Sequence, residues 1–285
     1  MRIDLHTHST ASDGTDPPGA LPARAAEAGL DVVALTDHDT TAGWDAAAGA
    51  LPSGLTLVRG AELSTRWHGG EESLGTHLLA YLFDPGHEEL AAGLAGVRES
   101  RDRRAAATVE LLNADGVGVT LEEILADAAG GTVGRPHIAK ALVRRGLVAS
   151  VDEAFGPRWL GRRYRLPKAE LDVLAAVRLV AAAGGVTVLA HPRAAARGHV
   201  VPDEAIAAMA AAGLWGVEAA HPDHGPGDRD HVRGLARDLG LRVTGSSDYH
   251  GDIKDVRLGA FTTGREVFEE LVATAAGVPP LRGGE

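Results

Sequence analysis

The chain opens on Arg2-Ile3-Asp4-Leu5-His6-Thr7-His8-Ser9, a strand-like run carrying two histidines two positions apart. Alternate side chains on a strand share a face, so His6 and His8 leave the backbone together, within reach of one metal ion. Alone, such a pair reads equally well as two surface histidines near a chain start. Six further sites change that balance. Asp13, Thr36-Asp37-His38-Asp39, Glu62, His77, His191 and Ser247-Asp248-Tyr249-His250 each adjoin an apolar run. Polar ligands recurring at strand ends are the pattern of an active site on the C-terminal rim of an α/β barrel, where successive strands deliver side chains to one place. His77 is the irregular member, since it opens its run instead of closing it.

The intervening segments keep a barrel's rhythm. A loop at Thr15-Asp16-Pro17-Pro18 leads into an alanine-rich helix ending at Gly29, and 31–36 is a short buried strand by its continuous, β-branched apolar character. The runs 56–62 and 76–82 read as the next two strands. A mostly helical stretch follows: one helix or two over 88–113 with Gly93, Gly96 and Asp115-Gly116 as breakers, another over 121–129, then Gly130-Gly131 turning into Arg135-Pro136-His137 and a helix through Arg145. It closes with the basic run Arg158, Arg162, Arg163, Arg165 and Lys168. Alternation then resumes with helix 169–183, strand 186–190 before His191, helix 205–212, strand 215–219, helix 231–239, strand 241–245, strand 258–262 and helix 267–275. The expected class is α/β, with a barrel core of 1–88 and 185–285. The helical insertion at 89–184 is expected to act as a cap, since rim loops accept additions without disturbing the core.

At 285 residues and 45% hydrophobic content, the chain has ample material for one such barrel. Only 4% is aromatic, so alanine, valine and leucine must do most of the packing. The net charge of −11 argues against a protein that lies along long nucleic acid by neutralising phosphates. Bound divalent cations would invert the local field, which leaves a small phosphorylated substrate open. Cysteine is absent, hence no disulfide framework and no thiolate metal site. No leader-like segment precedes the first strand, and no apolar run approaches the ~18 residues of a membrane span. The expectation is a cytoplasmic protein without membrane or obligate protein partner.

Ile3-Asp4-Leu5-His6-Thr7-His8-Ser9, Leu35-Thr36-Asp37-His38-Asp39, Leu189-Ala190-His191-Pro192 and Ser246-Ser247-Asp248-Tyr249-His250 resemble the four motifs of the polymerase-and-histidinol-phosphatase (PHP) superfamily. They stand in the family's order and span nearly the whole chain. Gly134-Arg135-Pro136-His137, within the insertion, resembles the branch acting on nucleoside 3′,5′-bisphosphates and short RNA ends. The resemblance implies a distorted, TIM-like (β/α)7 barrel and three divalent metal ions. His6, His8, Glu62 and Asp248 would hold the first, Glu62 would bridge to a second held by His77 and His191, and Asp13, His38 and His250 would hold the third. The family often has histidine at the position of Asp13. The implied reaction is release of phosphate from a nucleoside 3′,5′-bisphosphate by a metal-bridging hydroxide, with 5′ exonuclease action on short RNA as an extension. Two other functions stand beside it. One is histidinol phosphate phosphatase, against which the 134–137 segment counts. The other is a non-catalytic or proofreading accessory module, against which the full ligand set counts.

From the residues themselves, imidazole and carboxylate donors without sulfur suit Zn²⁺, Mn²⁺ or Fe²⁺ without choosing among them. Nine candidate ligands exceed what one ion takes, and two ions bridged by a carboxylate would bind both oxygens of an in-line phosphoryl displacement. Asp39, His221 and His224 are candidates for the leaving oxygen's neighbourhood. Asp39 serves equally as a cap of the following helix, and the two histidines as ordinary loop residues. Glu218 fits either support of a histidine ligand or a structural ion pair. Arg135 and His137 are the substrate candidates, because a guanidinium can take a phosphate with two parallel hydrogen bonds. The basic run ending at Lys168 reads as a solvated face, or as a landing patch for a second phosphate or an RNA tail.

Overall fold

All four residues of the strand Val32–Leu35 are buried, as in a parallel strand covered on both faces. The structure, a computed structural model describing residues 1–69, 72–128, 130–195 and 200–284, builds such strands into a ring. The strands are β1 (Ile3–Asp4), β2 (Val32–Leu35), β3 (Thr56–Gly69), β4 (Glu72–Tyr81), β5 (Leu171–Asp172), β6 (Val186–Leu189), β7 (Gly216–Ala220), β8 (Arg242–Gly245) and β9 (Leu281–Arg282). Around the ring the order is β1-β2-β3-β4-β6-β7-β8, with β5 and β9 attached to β3. The helices are α1 (Leu21–Glu27), α2 (Trp44–Gly49), α3 (Glu88–Ala114), α4 (Leu121–Asp127), α5 (Arg135–Arg144), α6 (Val151–Ala154), α7 (Val173–Ala182), α8 (Asp203–Ala212), α9 (Pro226–Leu239) and α10 (Arg265–Thr274). None of them is long and apolar enough to cross a membrane.

The ring is nearly closed where β8 returns to β1. Thr7 bridges Tyr249 in parallel, His8 N donates to the Tyr249 carbonyl at 2.8 Å, and Ser247 N donates to Asp4 Oδ1 at 3.0 Å. Strand β4 alone among the seven is antiparallel to both neighbours, β3 and β6. A reversed strand crosses the rim in the opposite direction, its first residues pairing with the extension of β3 beyond Glu62 before His77 comes level with Ser64. That is why His77 opens its run and still reaches the site.

On β2 the pleat divides the core. Val32 and Ala34 join Val58, Leu79, Tyr81, Val186 and Val188 in one cluster. Leu79 lies directly opposite Glu62 in the β3–β4 register, so this cluster shares the Glu62 face and fills the ring below it. Val33 and Leu35 join Leu57, Leu63 and Val177 in the larger cluster under the outer helices. A third cluster, drawn from Ala105 to Tyr164, belongs to the helical unit of α3–α6. That unit touches the rim directly, for Thr132 N donates to the Ala11 carbonyl at 2.8 Å.

Several elements differ from expectation. β3 does not stop at Glu62 but continues to Gly69 and pairs with β4 as a long hairpin. α3 is one helix, because two glycines cost far less than its buried stripe Leu90, Leu94, Val97, Ala105, Val109 and Leu112 contributes. The helix expected at 121–129 is described to Asp127, and residue 129 lies outside the described residues. Residues 169–172 are not helical: Leu171–Asp172 pairs with β3, and Asp172 caps α7 by accepting from Ala175 N. The strand expected at 258–262 is irregular chain, held to β1 by Gly259 N on Asp4 Oδ2 and Thr263 N on the Ile3 carbonyl.

Candidate metal centre and anion pocket

Glu62 enters the ring at its rim, where β3 meets the exit of β2; its N–H donates to the Thr36 carbonyl at 3.0 Å. Oε2 lies 3.1 Å from His6 Nε2, 3.0 Å from His8 Nε2 and 3.3 Å from His38 Nδ1. Oε1 lies 2.7 Å from His77 Nδ1 and 3.0 Å from His191 Nε2. Asp248 Oδ1 is 3.4 Å from both His6 Nε2 and His8 Nε2, which are 3.1 Å from one another. On the far side of His8, Asp13 Oδ1 is 3.4 Å from His250 Nε2, and Asp13 Oδ2 is 3.7 Å from His38 Nε2. The nine side chains form overlapping groups of ligand size: His6, His8, Glu62 and Asp248; His38, Glu62 and His77, with His191 on the same Glu62 oxygen; and His8, Asp13, His38 and His250.

No placement of protons satisfies so many converging lone pairs, and Asp13 Oδ1, His38 Nδ1 and His77 Nδ1 are buried without a hydrogen bond. Divalent cations satisfy them, and a donor set of nitrogen and oxygen fits the metals expected from sequence. The electrostatics agree. Burial pulls the His8 imidazole down, yet the Asp248 and Glu62 carboxylates outweigh it and carry its pKa up to about 9. A field that favours a proton there favours a metal cation equally. Burial drives His38 down to about 3 and His250 down to about 4, so both stand neutral, the form a ligand requires. Glu62 and Asp13 stay well below the usual carboxylate range, because the surrounding histidines outweigh the cost of burial.

Carboxylates outside the cluster orient it. Glu218 Oε1 lies 3.1 Å from His6 Nδ1 and also accepts from the Ser246 hydroxyl, while Oε2 accepts from His191 N at 2.9 Å. Such a partner holds the proton on His6 Nδ1 and offers Nε2 to a metal. Asp37 binds Ser9 N, Ser9 Oγ and Ser12 Oγ, fixing the loop that carries Asp13. Backbone conformation shows the same concentration: of four non-glycine residues with left-handed φ among the described residues, Asp39, His191 and Asp248 lie here.

The candidates for the leaving oxygen separate. Asp39 does not cap a helix, since α2 begins after Gly43; its oxygens take Ser64 N at 2.6 Å, Ser64 Oγ at 2.8 Å and Arg101 Nε at 2.8 Å. His224 has both ring nitrogens on backbone, Nδ1 on the Ala219 carbonyl and Nε2 accepting from Arg193 N. His221 differs. Its Nδ1 accepts from Asp223 N, so its proton sits on Nε2, which is buried, makes no hydrogen bond and lies 3.4 Å from Asp248 Oδ2.

The substrate candidates separate too. His137 is buried, and its Nδ1 accepts from Gly134 N at the start of α5. Arg135 is half-buried with its guanidinium 5.3 Å from the Phe155 ring centre, and Arg104 of α3 is its neighbour in charge. Neither makes an ion pair among the described residues. Burial, then neighbouring guanidiniums, push Arg104 down to about 9 and Arg135 down to about 10. Within the basic run, Arg163 is paired with Asp115 and Lys168 with Glu170.

Residues 4–117 match the PHP domain family. Over 264 residues the chain is 35% identical to a 5′-3′ exoribonuclease of Haemophilus influenzae, covering 90% of this chain and 93% of that one. The chain belongs to the PHP family. A 3′,5′-nucleoside bisphosphate phosphatase of Chromobacterium violaceum is 33% identical over 259 residues, 87% of each chain. A crystal structure from Bifidobacterium adolescentis, described as a candidate metal-dependent phosphoesterase, superposes with a TM-score of 0.88 at 34% identity over 96% of both chains. The protein is therefore a metal-dependent phosphoesterase of PHP type. Sequence reasoning did not single out Arg101, Arg104 or Lys254 in this PHP site. For Arg104 no local signal exists. For Lys254 there was one, namely the rarity of lysine in the chain.

Proposed function

We propose that this PHP enzyme works in the cytoplasm, removing the 3′-phosphate of nucleoside 3′,5′-bisphosphates to leave the 5′-monophosphate. On the same reading it takes the 5′ end of short RNA by the same grip. The observation that carries it is the Arg104–Arg135 pair, two half-buried guanidiniums that make no ion pair among the described residues, on the helical unit that touches the rim. Like charges are not gathered out of water unless an anion joins them. A bisphosphate provides that anion, its second phosphate lying some distance from the reacting one. Three divalent ions are our reading of the cofactor: His6, His8, Glu62 and Asp248 for one, Glu62, His77 and His191 for another, and Asp13, His38 and His250 for a third. Bound there, such ions supply Lewis-acid polarisation of the phosphoryl group and a water acidic enough to attack at neutral pH. The chain's own part is to orient. Glu218 sets the tautomer of His6, and Arg135 with Arg104 fixes the non-reacting phosphate. His221, its Nε2 proton 3.4 Å from the Asp248 oxygen that Lys254 also holds, is the group placed to serve the leaving oxygen. Asp39, His224 and His137 act through the backbone and the arginine they hold.

The test is a substrate panel with Mn²⁺-loaded protein, scoring released phosphate from adenosine 3′,5′-bisphosphate, 5′-phosphorylated short RNA, AMP, histidinol phosphate and p-nitrophenyl phosphate. The bisphosphate should lead. Arg135→Ala and Arg104→Ala should each lower its kcat/KM about ten- to a hundredfold, the value of one charge-assisted phosphate contact. Turnover of p-nitrophenyl phosphate should change little. Equal losses on both substrates would assign these arginines to the reacting phosphate or to the fold.

A further inference from the structure

Of the 28 lysines and arginines only three are lysine, at positions 140, 168 and 254. The other 25 are arginine. The three exceptions stand around the rim: Lys254 on Asp248, Lys168 on Glu170 beside Asp39, and Lys140 in the field of Asp13. An ammonium is a compact charge with three N–H donors in a tetrahedral array, and a planar guanidinium fork does not replace it in a confined place.

Lys254 is the most exposed of the three to the chemistry. Its Nζ is 2.7 Å from Asp248 Oδ2, while the other oxygen of that carboxylate faces His6 and His8. Orienting Asp248 uses one of its three N–H donors and leaves two, while the buried Nε2 of His221 lies 3.4 Å from the same oxygen without a hydrogen bond to it. Neutralising the cluster is not a reason for its presence, since a cation on a ligand carboxylate weakens the hold on divalent metal. The segment carrying it is held in place. Gly251 has φ +71° and abuts Thr15, whose hydroxyl accepts from Asp252 N at 2.9 Å, and Thr15 N donates to the His250 carbonyl at 3.1 Å. The Lys254 side chain is 30% exposed, so it reaches the buried Asp248 from the solvent side.

We propose that Lys254 is a substrate-contacting residue: one N–H stays on Asp248 Oδ2, and the remaining N–H groups donate to a non-bridging oxygen of the phosphoryl group that is hydrolysed. The contact belongs to the reacting phosphate, not to the second one, and rests only on the phosphoesterase chemistry of the site. The test uses Lys254→Met and Lys254→Arg, each loaded with Mn²⁺. Three quantities are measured: metal equivalents by elemental analysis, the Kd of inorganic phosphate by calorimetry, and kcat and KM on p-nitrophenyl phosphate. Metal content should match wild type in both variants. Phosphate affinity and kcat/KM should fall about ten- to a hundredfold in the Met variant, and the Arg variant should recover neither. Unchanged phosphate affinity with intact metal content in Lys254→Met overturns the contact. Loss of metal in step with activity overturns it as well, making Lys254 a residue that shapes the metal site. An Arg variant at the wild-type level removes the need for an ammonium. Neither probe carries a second phosphate, so these results stand apart from the fate of the bisphosphate reading.

Discussion

Glu62 gives both carboxylate oxygens to histidines of different groups, three on Oε2 and two on Oε1. One neutralised carboxylate therefore weakens two metal positions together. Glu62→Gln should lower bound metal by more than one equivalent in elemental analysis of the loaded protein; loss of a single equivalent would mean that it serves one ion. Most of the nine candidate ligands were legible in sequence because strand ends give a side chain an address: a histidine or carboxylate after an apolar run reaches the rim whatever precedes it, though His77, inside β4, and Asp13, on a loop, do not follow that rule. Charged residues on long helices have no such address. Arg104 sits in the run Arg101-Asp102-Arg103-Arg104, and only the packing of α3 decides that Arg103 faces solvent while Arg104 turns inward. Likewise the roles of Asp39 and His224 depend on partners remote in sequence, Arg101 for one and Arg193 for the other.

Among the elements, α3 couples the helical unit to the barrel through one buried ion pair. Arg101 Nε meets Asp39 Oδ2 at 2.8 Å, its Nη2 donates to Ser64 Oγ at 2.8 Å, and Arg98 reaches the Asp39 carbonyl at 2.7 Å. Arg101→Met should destabilise the protein by about 3–5 kcal/mol in denaturant titration, because it leaves Asp39 buried without its counter-charge. Adding Asp39→Leu should return part of the loss, and a double variant no better than the single one would show that the pair is not coupled. The acid side has a defined sign. Burial would raise the Asp39 carboxyl, but Arg101 outweighs it and holds the pKa below its ordinary value. The pair's contribution is thus complete above the unfolded carboxyl's ~3.9 and is lost as pH falls through the lower folded value. Most barrel strands were readable from their apolar runs, while 258–262 has such a run as well and is irregular chain. The reversal of β4 was not readable, since a strand's direction leaves no trace in its own composition; only the misplacement of His77 hinted at it.

Across the whole molecule, the ligand cluster is a concentration of buried charge that the fold holds together and that metal completes. Whatever binds the folded state alone stabilises it, by about 2.7 kcal/mol per site at a hundredfold excess over Kd. Stripping metal with a chelator should lower the Tm in calorimetry by several degrees, and readdition of Mn²⁺ should restore it. An unchanged Tm would mean that the cluster supports itself. The ring that holds this cluster is shut by contacts between the two extremes of the described chain. Asp4 accepts from Ser247 N and Gly259 N, and His8 N reaches the Tyr249 carbonyl. During synthesis, His6 and His8 leave the ribosome early, while Asp248 and His250 follow more than two hundred residues later. Until that last motif emerges, the two groups that need Asp248 or His250 lack a ligand, whereas His38, Glu62, His77 and His191 already stand in the chain. Closure of the ring is therefore also assembly of the site: two of the three ligand groups come together only when β8 docks against β1.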